Sequence, residues 1–261
     1  MITIYTNARI RQLALWQTKA RERRAAGVFL AEGFKMFLEA PEEKIREVYL
    51  SEDVTQKVQE HPEMREKLKR TGFETVTPGV FRKISDTLTP QGILCVITRM
   101  EYRLEELLAV PKPVFVVLEN LQDPGNLGTV MRTGEGAGIT GIVMNTGTVD
   151  IYNPKTIRAT MGSVYRVPFV YEEDLCGTVR LLRERGIRTY AAHLGGEKAY
   201  DLFSYREGTA FLIGNEGRGL SPELAAEADN FLKIPMEGRV ESLNAAVSAA
   251  LLMYEAHRQR Q

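Results

Sequence analysis

Short apolar runs alternate with helix-like patterns along the first part of the chain. The spacing of apolar positions predicts helices at residues 10–24, at 28–40, in a charged segment that ends near Arg70, and at 78–84. Strands are expected at residues 45–50, 73–76 and 93–98. Together these elements predict a small α/β domain of about a hundred residues, which is a usual domain size.

The second part of the chain opens with residues 114–118, a continuous apolar run that is typical of a strand buried on both faces. Further strands are expected at 141–144, 167–170, 187–192, 210–213 and 231–234, with helices at 130–137, 153–160, 175–185 and the end of the chain. This alternation predicts a parallel sheet covered by helices. A polar stretch, residues 99–106, and Pro111-Lys112-Pro113 indicate a linker, so we expect two domains, 1–106 and 107–261.

Three polar loops follow strands of the second domain, at residues 119–126, 214–219 and 235–244. In open parallel sheets, ligands bind at loops beyond the carboxyl ends of the strands. These loops are therefore the expected functional site.

Composition excludes several classes of protein. Apolar residues make up 44% of the chain and charged residues 26%, which is ordinary for a globular protein. We expect no membrane span, because no apolar run approaches about 18 residues, and no signal peptide at Met1. Cys95 and Cys176 are far apart and are expected to be reduced thiols of a cytoplasmic protein. We expect no metal site, because the histidines are scattered.

Charge is unevenly distributed, although 34 basic and 34 acidic residues balance over the whole chain. Six basic residues precede position 25 against the single acid Glu22, namely Arg9, Arg11, Lys19, Arg21, Arg23 and Arg24. This segment is either an RNA-binding face that contacts phosphates or a solvated helix surface, and charge alone does not decide between them.

The first loop offers an amide and a cation. Asn126 can cap the helix that follows or bind a ligand. Arg132, six residues later, suits a phosphate or a developing oxyanion. The structural alternative for Arg132 is an ion pair with Glu135 or Glu216.

The second and third loops are rich in glycine and polar residues. The spacing of Gly214, Gly217 and Gly219 differs from that of dinucleotide folds, which disfavours a nicotinamide site. Glu216 would repel a phosphate and is better suited to bonding hydroxyl groups or Arg132. Ser242 is either a helix N-cap or a ligand-binding residue, since a serine at a helix start suits both roles.

Three ordered motifs in these loops resemble those of the SpoU (TrmH-type) RNA ribose 2′-O-methyltransferases. They are Asn126-x-Gly128-x-x-x-Arg132, Gly214-Asn215-Glu216-Gly217-x-Gly219 and Ile234-Pro235-Met236-x-Gly238-x-x-x-Ser242-Leu243-Asn244. A run from Asn153-Pro154-Lys155 to Ser163, with Val167-Pro168, also matches, and the similarity covers most of residues 113–260. Gly134 and Gly136 stand where the family usually has alanine, and Ala245-Ala246 where Val-Ser is common.

The amino-terminal part resembles the L30e-like substrate-binding domain that many members of this family carry. The residues that carry this resemblance are Phe29-Leu30-Ala31-Glu32-Gly33 and Thr89-Pro90-Gln91-Gly92-Ile93. The resemblance implies an L30e-like α/β domain followed by a parallel-sheet α/β domain with a deep trefoil knot. It also implies a homodimer whose active sites lie near the interface.

The resemblance implies S-adenosylmethionine as cofactor and RNA as partner. Its motif positions imply catalytic roles for Arg132, Asn126, Glu216, Ser242 and Asn244. They imply a cofactor site made by Gly214, Asn215, Gly217, Ile234, Met236, Ser242, Leu243 and Asn244.

The implied reaction is methyl transfer to a ribose 2′-oxygen, for which alignment supplies much of the catalysis. A guanidinium stays protonated, so Arg132 is expected to bind a phosphate and stabilise the developing alkoxide rather than act as a base. Asn126 and Ser242 would orient Arg132 or the ribose, Glu216 would anchor the loops, and Asn244 would fix the knot.

Large-subunit (23S) ribosomal RNA is the expected substrate, because an appended L30e-like domain of this size fits a large structured RNA, which is an analogy at the level of the fold. A transfer RNA is an alternative substrate. A non-catalytic RNA-binding or ribosome-assembly protein of the same fold is disfavoured by the intact motif residues, and a nucleotide-dependent enzyme of another class by the glycine spacing.

Overall fold

The computed structural model describes residues 1–196, 198–240 and 242–261. The chain forms two compact units. Unit 1 comprises Met1–Met100 and Asp150–Tyr165, and unit 2 comprises Glu101–Val149 and Arg166–Gln261. The expected boundary after residue 106 divides the chain into two continuous segments. In the structure, residues 150–165 belong to unit 1 although they lie in sequence between two strands of unit 2.

The strands and helices follow one another closely along the chain. In chain order the strands are β1 Val28–Glu32, β2 Ile45–Ser51, β3 Glu74–Val76, β4 Ile93–Thr98, β5 Val114–Leu118, β6 Gly141–Asn145, β7 Phe169–Glu172, β8 Arg188–Ala192, β9 Lys198–Ala199, β10 Thr209–Ile213 and β11 Asn230–Lys233. The α-helices are α1 Ala8–Thr18, α2 Ala20–Ala26, α3 Phe34–Glu39, α4 Thr55–Gln59, α5 Pro62–Thr71, α6 Pro78–Ile84, α7 Leu104–Leu108, α8 Pro124–Ala137, α9 Pro154–Thr160, α10 Leu175–Glu184, α11 Pro222–Ala226 and α12 Ala245–Gln259. Short 3-10 helices span Glu42–Lys44, Glu52–Val54, Ser163–Tyr165 and Tyr200–Leu202.

Unit 1 is built on a four-stranded sheet with the order β1-β4-β2-β3. The prediction of one helix over residues 28–40 is wrong. Its first part is β1, which pairs antiparallel with β4 from Val28 opposite Thr98 to Glu32 opposite Leu94. Gly33 then turns the chain into α3 with a φ of +114°, which favours glycine. The helix expected at 10–24 is also interrupted, because Lys19 is extended between α1 and α2.

Residues 150–165 contribute to the core of unit 1. Helix α9 packs on β1, and the Tyr152 ring stacks on Phe29 with 4.8 Å between centroids. The Tyr152 hydroxyl donates to the carbonyl of Met100 and accepts from its N–H, at 3.0 and 2.8 Å. Tyr165 donates its hydroxyl to the Met36 carbonyl at 3.0 Å. Removing this segment would therefore leave the core of unit 1 incomplete.

Unit 2 is built on a seven-stranded sheet with the order β7-β6-β5-β10-β8-β11-β9, and all its strand pairs are parallel. Every residue of the central strands β5 and β10 is buried, as their apolar sequences predict. The parallel-sheet α/β prediction is confirmed. The three polar loops follow β5, β10 and β11, so they leave the same edge of the sheet.

The helices beside these loops begin with defined caps. Asp123 caps α8 by accepting from the Asn126 N–H at 2.7 Å, and Pro124 is the first helical residue, so the helix begins before the expected residue 130. Asn244 caps α12 by accepting from the N–H groups of Ala246 and Val247. Of the two alternatives for Ser242, the helix N-cap is therefore wrong, because Ser242 lies two residues before the cap. Among the described residues, no helix is long and apolar enough to cross a membrane.

Candidate functional site

Glu216 joins the loop after β10 to the loop after β5. Its carboxylate accepts from the backbone N–H of Asp123 at 2.9 Å and of Gln122 at 3.1 Å. The Asn126 side-chain amide donates to the same carboxylate at 3.1 Å. The expectation that Glu216 anchors the loops agrees with this arrangement, whereas its expected ion pair with Arg132 is absent from the contacts of the described residues.

These contacts keep the Glu216 carboxylate ionised. Removal from water acts to raise its pKa, but hydrogen bonds from the backbone N–H groups of Asp123, Gln122 and Glu216, and from the Asn126 amide, hold the pKa below its usual value. The carboxylate is therefore a fixed negative acceptor at neutral pH.

Asn126 extends the network to the third loop. The Asn244 side-chain amide donates to the Asn126 side-chain oxygen at 2.9 Å. The other half of each amide is also engaged, since Asn126 donates to Glu216 and Asn244 caps α12. One residue from each of the three motifs thus belongs to a continuous chain of hydrogen bonds.

The loop after β10 folds tightly on itself. Asn215 and Gly219 exchange two backbone hydrogen bonds, at 3.0 and 2.9 Å. The side-chain oxygen of Asn215 accepts from the N–H groups of Gly217 and Arg218, and its amide donates to the Asn120 carbonyl at 2.8 Å. A Cβ atom on Gly214 would collide with the backbone of Gly219 and Leu220, so the close approach requires glycine.

Arg132 lies outside this network. It is exposed on α8, and none of the hydrogen bonds or ion pairs found among the described residues involves its side chain. Glu135, the other expected partner, forms an ion pair with Arg166. The structural alternative for Arg132, an ion pair with Glu135 or Glu216, is therefore not realised, and its guanidinium faces solvent.

The expected cofactor residues surround the ends of β10 and β11. Gly214 is buried, while Asn215, Ile234, Met236 and Leu243 are partly buried. Gly217 and Ser242 are exposed. Within the described parts of the chain, the backbone groups of Met236 and Leu243 form no hydrogen bond with another residue. Free backbone donors and acceptors beside partly buried apolar side chains suit a nucleoside-containing ligand.

The basic amino-terminal residues do not all lie on the surface. Arg9, Arg11, Lys19, Arg21 and Arg24 are exposed. Arg23 is only 4% exposed: its guanidinium donates to the Trp16 carbonyl at 2.7 Å and forms an ion pair with Asp150, also at 2.7 Å. The prediction that Arg23 binds RNA is corrected, because a buried side chain with these partners supports the fold of unit 1.

Several residues of the site were missed by sequence reasoning. The Asn120 N–H donates to the side chain of Asn145 at 2.9 Å, and the Asn145 amide donates back to the Asn120 side chain at 2.9 Å. This pair ties the loop after β5 to the end of β6. Asn145 stands at the end of a buried strand, at the same edge of the sheet, and this position could have identified it from the sequence. Asp123-Pro124 could also have been identified, because an N-cap residue followed by a proline in the first turn marks the start of a helix. Arg218, exposed in the loop after β10, was also missed.

No group of described histidine, cysteine, aspartate and glutamate side chains has an arrangement that could hold a metal ion. The polar groups of the site are side-chain amides, backbone groups and the carboxylates of Asp123 and Glu216.

Comparison with known proteins agrees with this geometry. Residues 113–254 match the SpoU rRNA Methylase family, and residues 7–95 match the MRM3-like substrate binding domain. The 23S rRNA (guanosine(2553)-2'-O)-methyltransferase RlmP of Bacillus subtilis is 37% identical over 174 residues, covering 67% of this chain and 68% of the relative. The putative TrmH family tRNA/rRNA methyltransferase YacO of Bacillus subtilis is 32% identical over 176 residues, covering 65% of this chain and 71% of the relative.

A solved structure extends the similarity over the whole chain. The AdoMet-bound rRNA methyltransferase from Sinorhizobium meliloti has a TM-score of 0.85 and 29% identity, covering 100% of this chain and 98% of its own. AdoMet is S-adenosylmethionine, the cofactor implied by the motifs. The matched family spans all three loops joined through Glu216, Asn126 and Asn244, and the chain belongs to the SpoU rRNA methylase family of S-adenosylmethionine-dependent RNA methyltransferases.

Proposed function

We propose that this protein transfers a methyl group from S-adenosylmethionine to a ribose 2′-oxygen of 23S ribosomal RNA in the cytoplasm. The observation that carries the proposal is the hydrogen-bond chain from Glu216 through Asn126 to Asn244, which joins the three motif loops at one sheet edge. The relative RlmP, whose name states this reaction on 23S rRNA, supports the choice of substrate.

The loops after β10 and β11 fit the cofactor. Ile234, Met236 and Leu243 would contact the apolar parts of the nucleoside, and free backbone groups of Met236 and Leu243 would bond its polar edge. Gly214 and Gly217 have no Cβ atom, so the backbone of the loop that they form with Asn215 can approach the ligand closely at these two positions. We assign Ser242, exposed beside Leu243, to the same site.

The bound cofactor supplies a sulfonium whose methyl group is already activated for transfer. The protein must then position the 2′-hydroxyl and stabilise the charge that develops on its oxygen. Arg132 is the suitable cation, because its exposed guanidinium is not neutralised by a described acidic side chain. It would bind a phosphate of the RNA and the developing alkoxide, while the proton leaves to a phosphate oxygen or water.

Asn126, Glu216 and Asn244 would hold the start of α8 in place and so position Arg132 on the same helix. Their side chains are already engaged with one another, which makes them positioning residues in this arrangement. Ser242 is the exposed hydroxyl that would orient the ribose.

We also propose that two copies of the chain pair through a groove on α12. The groove has a volume of about 580 Å³ and is lined mainly by Val247, Leu251 and Tyr254 of α12 together with Thr129 of α8. Arg132 lies one turn after Thr129 and therefore on the same side of α8. A second copy seated here would cover exposed apolar side chains next to the proposed catalytic arginine.

RNA ribose methylation is tested by giving the purified protein labelled S-adenosylmethionine and total RNA from cells that lack the gene, and mapping 2′-O-methyl sites. A single modified nucleotide in 23S rRNA is expected. Modification of a base, or of transfer RNA only, would overturn the proposal; a transfer RNA substrate is the second candidate because YacO is named for both RNAs.

Arg132→Ala is expected to lower the methyl-transfer rate at least about a hundredfold, because one charge-stabilising donor is lost. Binding of S-adenosylhomocysteine, measured by calorimetry, should be unchanged. Arg185→Ala, at the exposed arginine that follows α10, is the matched control and should retain full activity. Loss of cofactor binding in Arg132→Ala would mean that Arg132 is structural.

A further inference from the structure

Unit 1 presents a loop with a fixed base and an apolar tip, which we call the Leu88 loop (residues 85–92). It connects α6 to β4 and lies beside the end of β1. Leu88 at its tip is fully exposed to solvent. The catalytic residues of unit 2 make no use of this feature.

The base of the Leu88 loop is held by Glu32, the last residue of β1. One carboxylate oxygen of Glu32 accepts from the Ser85 hydroxyl at 2.8 Å. The other accepts from the Thr87 hydroxyl at 3.0 Å and from the Gln91 N–H at 3.2 Å. Three positions of the loop are thus bound to one side chain, so the loop has a defined shape.

Gln91 adds a second connection to the loop base. Its side-chain oxygen accepts from the Phe34 N–H at 3.1 Å. A Cβ atom on Gly33 would approach that oxygen to 2.8 Å, so glycine leaves room for the contact. Glu32, Gly33 and Gln91 therefore support the loop, and the side chain that it presents to a partner is Leu88.

A large apolar side chain held in water on a fixed loop gains free energy when a partner covers it. In an RNA-binding protein the matching partner is an unstacked base, because RNA is recognised mainly at single-stranded loops whose bases are splayed out. Leucine is among the apolar residues that insert beside bases in nucleic-acid complexes.

Four cationic side chains lie on the segments next to the Leu88 loop, whereas the acids there, Glu32 and Asp86, are both engaged by groups of the protein. Residues 82–91 contain Arg82 and Lys83 and the single acid Asp86, while α9 carries Lys155 and Arg158 and no acid. Arg82, Lys83 and Lys155 are exposed. Arg158 contacts Asp86 at 2.5 Å and keeps 37% of its side chain exposed, which places it beside the loop with access to solvent.

We propose that the Leu88 loop and α9 form an RNA-contacting surface in which Leu88 packs on an unpaired base while Lys155 and Arg158 bind phosphates on either side. The proposal rests on the RNA-methylating function and assigns a second RNA contact, separate from α1 and α2. Leu88 selects RNA in which the contacted base is unpaired, and Lys155 and Arg158 fix the position of the RNA backbone.

Binding of purified 23S rRNA at several salt concentrations tests this surface. Leu88→Ser should weaken binding about tenfold and leave the salt dependence unchanged, because no charge is lost. Val110→Ser, at an exposed apolar residue of unit 2, is the matched control and should bind as the parent does. Equal affinities of Leu88→Ser and Val110→Ser would overturn the proposal.

Loss of a cation should instead change the salt dependence of RNA binding. Lys155→Gln and Arg158→Gln should each reduce the slope of log affinity against log salt concentration by about one, as expected for one lost phosphate contact. Asp86→Asn removes the same ion pair as Arg158→Gln but keeps the cation, so its slope should equal that of the parent. A slope lowered equally by Asp86→Asn would mean that Arg158 only supports the loop, and would overturn its assignment to phosphate.

Failure of this proposal is distinguishable from failure of the methylating function. If the parent protein methylates 23S rRNA and Leu88→Ser has an unchanged KM for RNA, the surface is wrong and the function stands. If the parent methylates no RNA, the function fails whatever the binding data show. A raised KM for RNA with an unchanged kcat and unchanged cofactor binding supports the surface.

Discussion

At the scale of single residues, Glu216 connects the loops of the catalytic unit most directly. Four neighbouring groups donate to its carboxylate: two backbone N–H groups and the side-chain amides of Asn126 and Asn215. A glutamine at this position would turn a donor toward groups that are themselves donors. Loss of the Glu216 carboxylate should therefore lower the stability of the fold and alter the position of α8.

The pH dependence of Glu216→Gln follows from the lowered pKa of this carboxyl. A carboxyl whose pKa is lower in the folded state stabilises the protein above its unfolded pKa, about 4.3, and loses that contribution as pH falls through the folded value. We expect Glu216→Gln to lower Tm at neutral pH and to approach the parent Tm as pH falls below about 4.

Thermal unfolding between neutral and acidic pH measures this difference. Glu184→Gln, at an exposed glutamate of α10, is the control and should follow the parent at every pH. A difference between Glu216→Gln and the parent that stays constant with pH would contradict the role of the carboxylate.

The arginines of α2 separate surface charge from buried support. Replacing exposed Arg21 and Arg24 together with glutamine should leave folding unchanged and reduce the salt slope of RNA binding by about two. Arg23→Gln should instead lower the free energy of unfolding by about 2–3 kcal/mol, because Asp150 loses its partner. Chemical denaturation and RNA binding measure the two effects. A changed salt slope in Arg23→Gln with unaltered stability would contradict its buried role.

At the scale of elements, the packing of α12 against α8 depends on two glycines. A Cβ atom on Gly136 would meet only the Tyr254 hydroxyl, at 2.9 Å, and Tyr254 is 49% exposed. A Cβ atom on Gly134 would approach Ile139 Cδ1 to 2.5 Å. The Tyr254 hydroxyl ends an exposed side chain, whereas Ile139 is partly buried just after α8 and the Met253 sulfur of α12 lies 3.6 Å from the same Cβ position.

Gly136→Ala and Gly134→Ala should therefore have opposite effects. Both gain helix propensity of up to about 1 kcal/mol. Gly136→Ala should raise the free energy of unfolding by part of that amount, since Tyr254 can turn away, while Gly134→Ala should lower it because Ile139 must move. Denaturation at equal protein concentration tests the pair. Equal effects of the two substitutions would show that the room around each glycine does not decide the change in the free energy of unfolding.

Elements differ in how far the sequence predicts them. The central strands of unit 2 were predictable because residues 114–118 and 209–213 are apolar and buried on both faces. The helix expected at residues 28–40 was wrong for two reasons. Phe29, Leu30, Phe34 and Phe37 have helical spacing, and the strand pairing of β1 with β4 joins residues that are distant in sequence.

The location of the site was predictable, but its contacts were not. Parallel strands place the three loops at one edge, which follows from the order of elements. Glu216 binds Asn126 rather than Arg132, and Asn244 rather than Ser242 caps α12, because those choices depend on how closely the loops approach one another. Serine and asparagine are both good caps, so residue type does not separate them.

At the scale of the whole molecule, the two compact units do not correspond to two continuous segments of the chain. The SpoU match spans residues 113–254, yet residues 150–165 belong to unit 1. Sequence similarity therefore does not mark where one compact unit ends. The trefoil knot implied by the resemblance stays a prediction, as does the pairing of two chains.

Pairing through the groove on α12 makes a prediction for the mass of the protein in solution. Val247 is 47% exposed in that groove, and its side chain lies in the first turn of α12. Val247→Asp should keep the fold, because an acidic residue near a helix N-terminus is favourable. It should nevertheless prevent pairing, because a second copy would bury the unpaired charge.

Sedimentation velocity distinguishes the two masses. The parent and Val110→Asp, a control at an exposed apolar residue outside the groove, should sediment as two chains, and Val247→Asp as one. Methyl transfer by Val247→Asp should fall with the loss of pairing if the second copy completes the surroundings of Arg132. A two-chain mass for Val247→Asp would place the interface elsewhere, because a buried aspartate could not be accommodated in this groove.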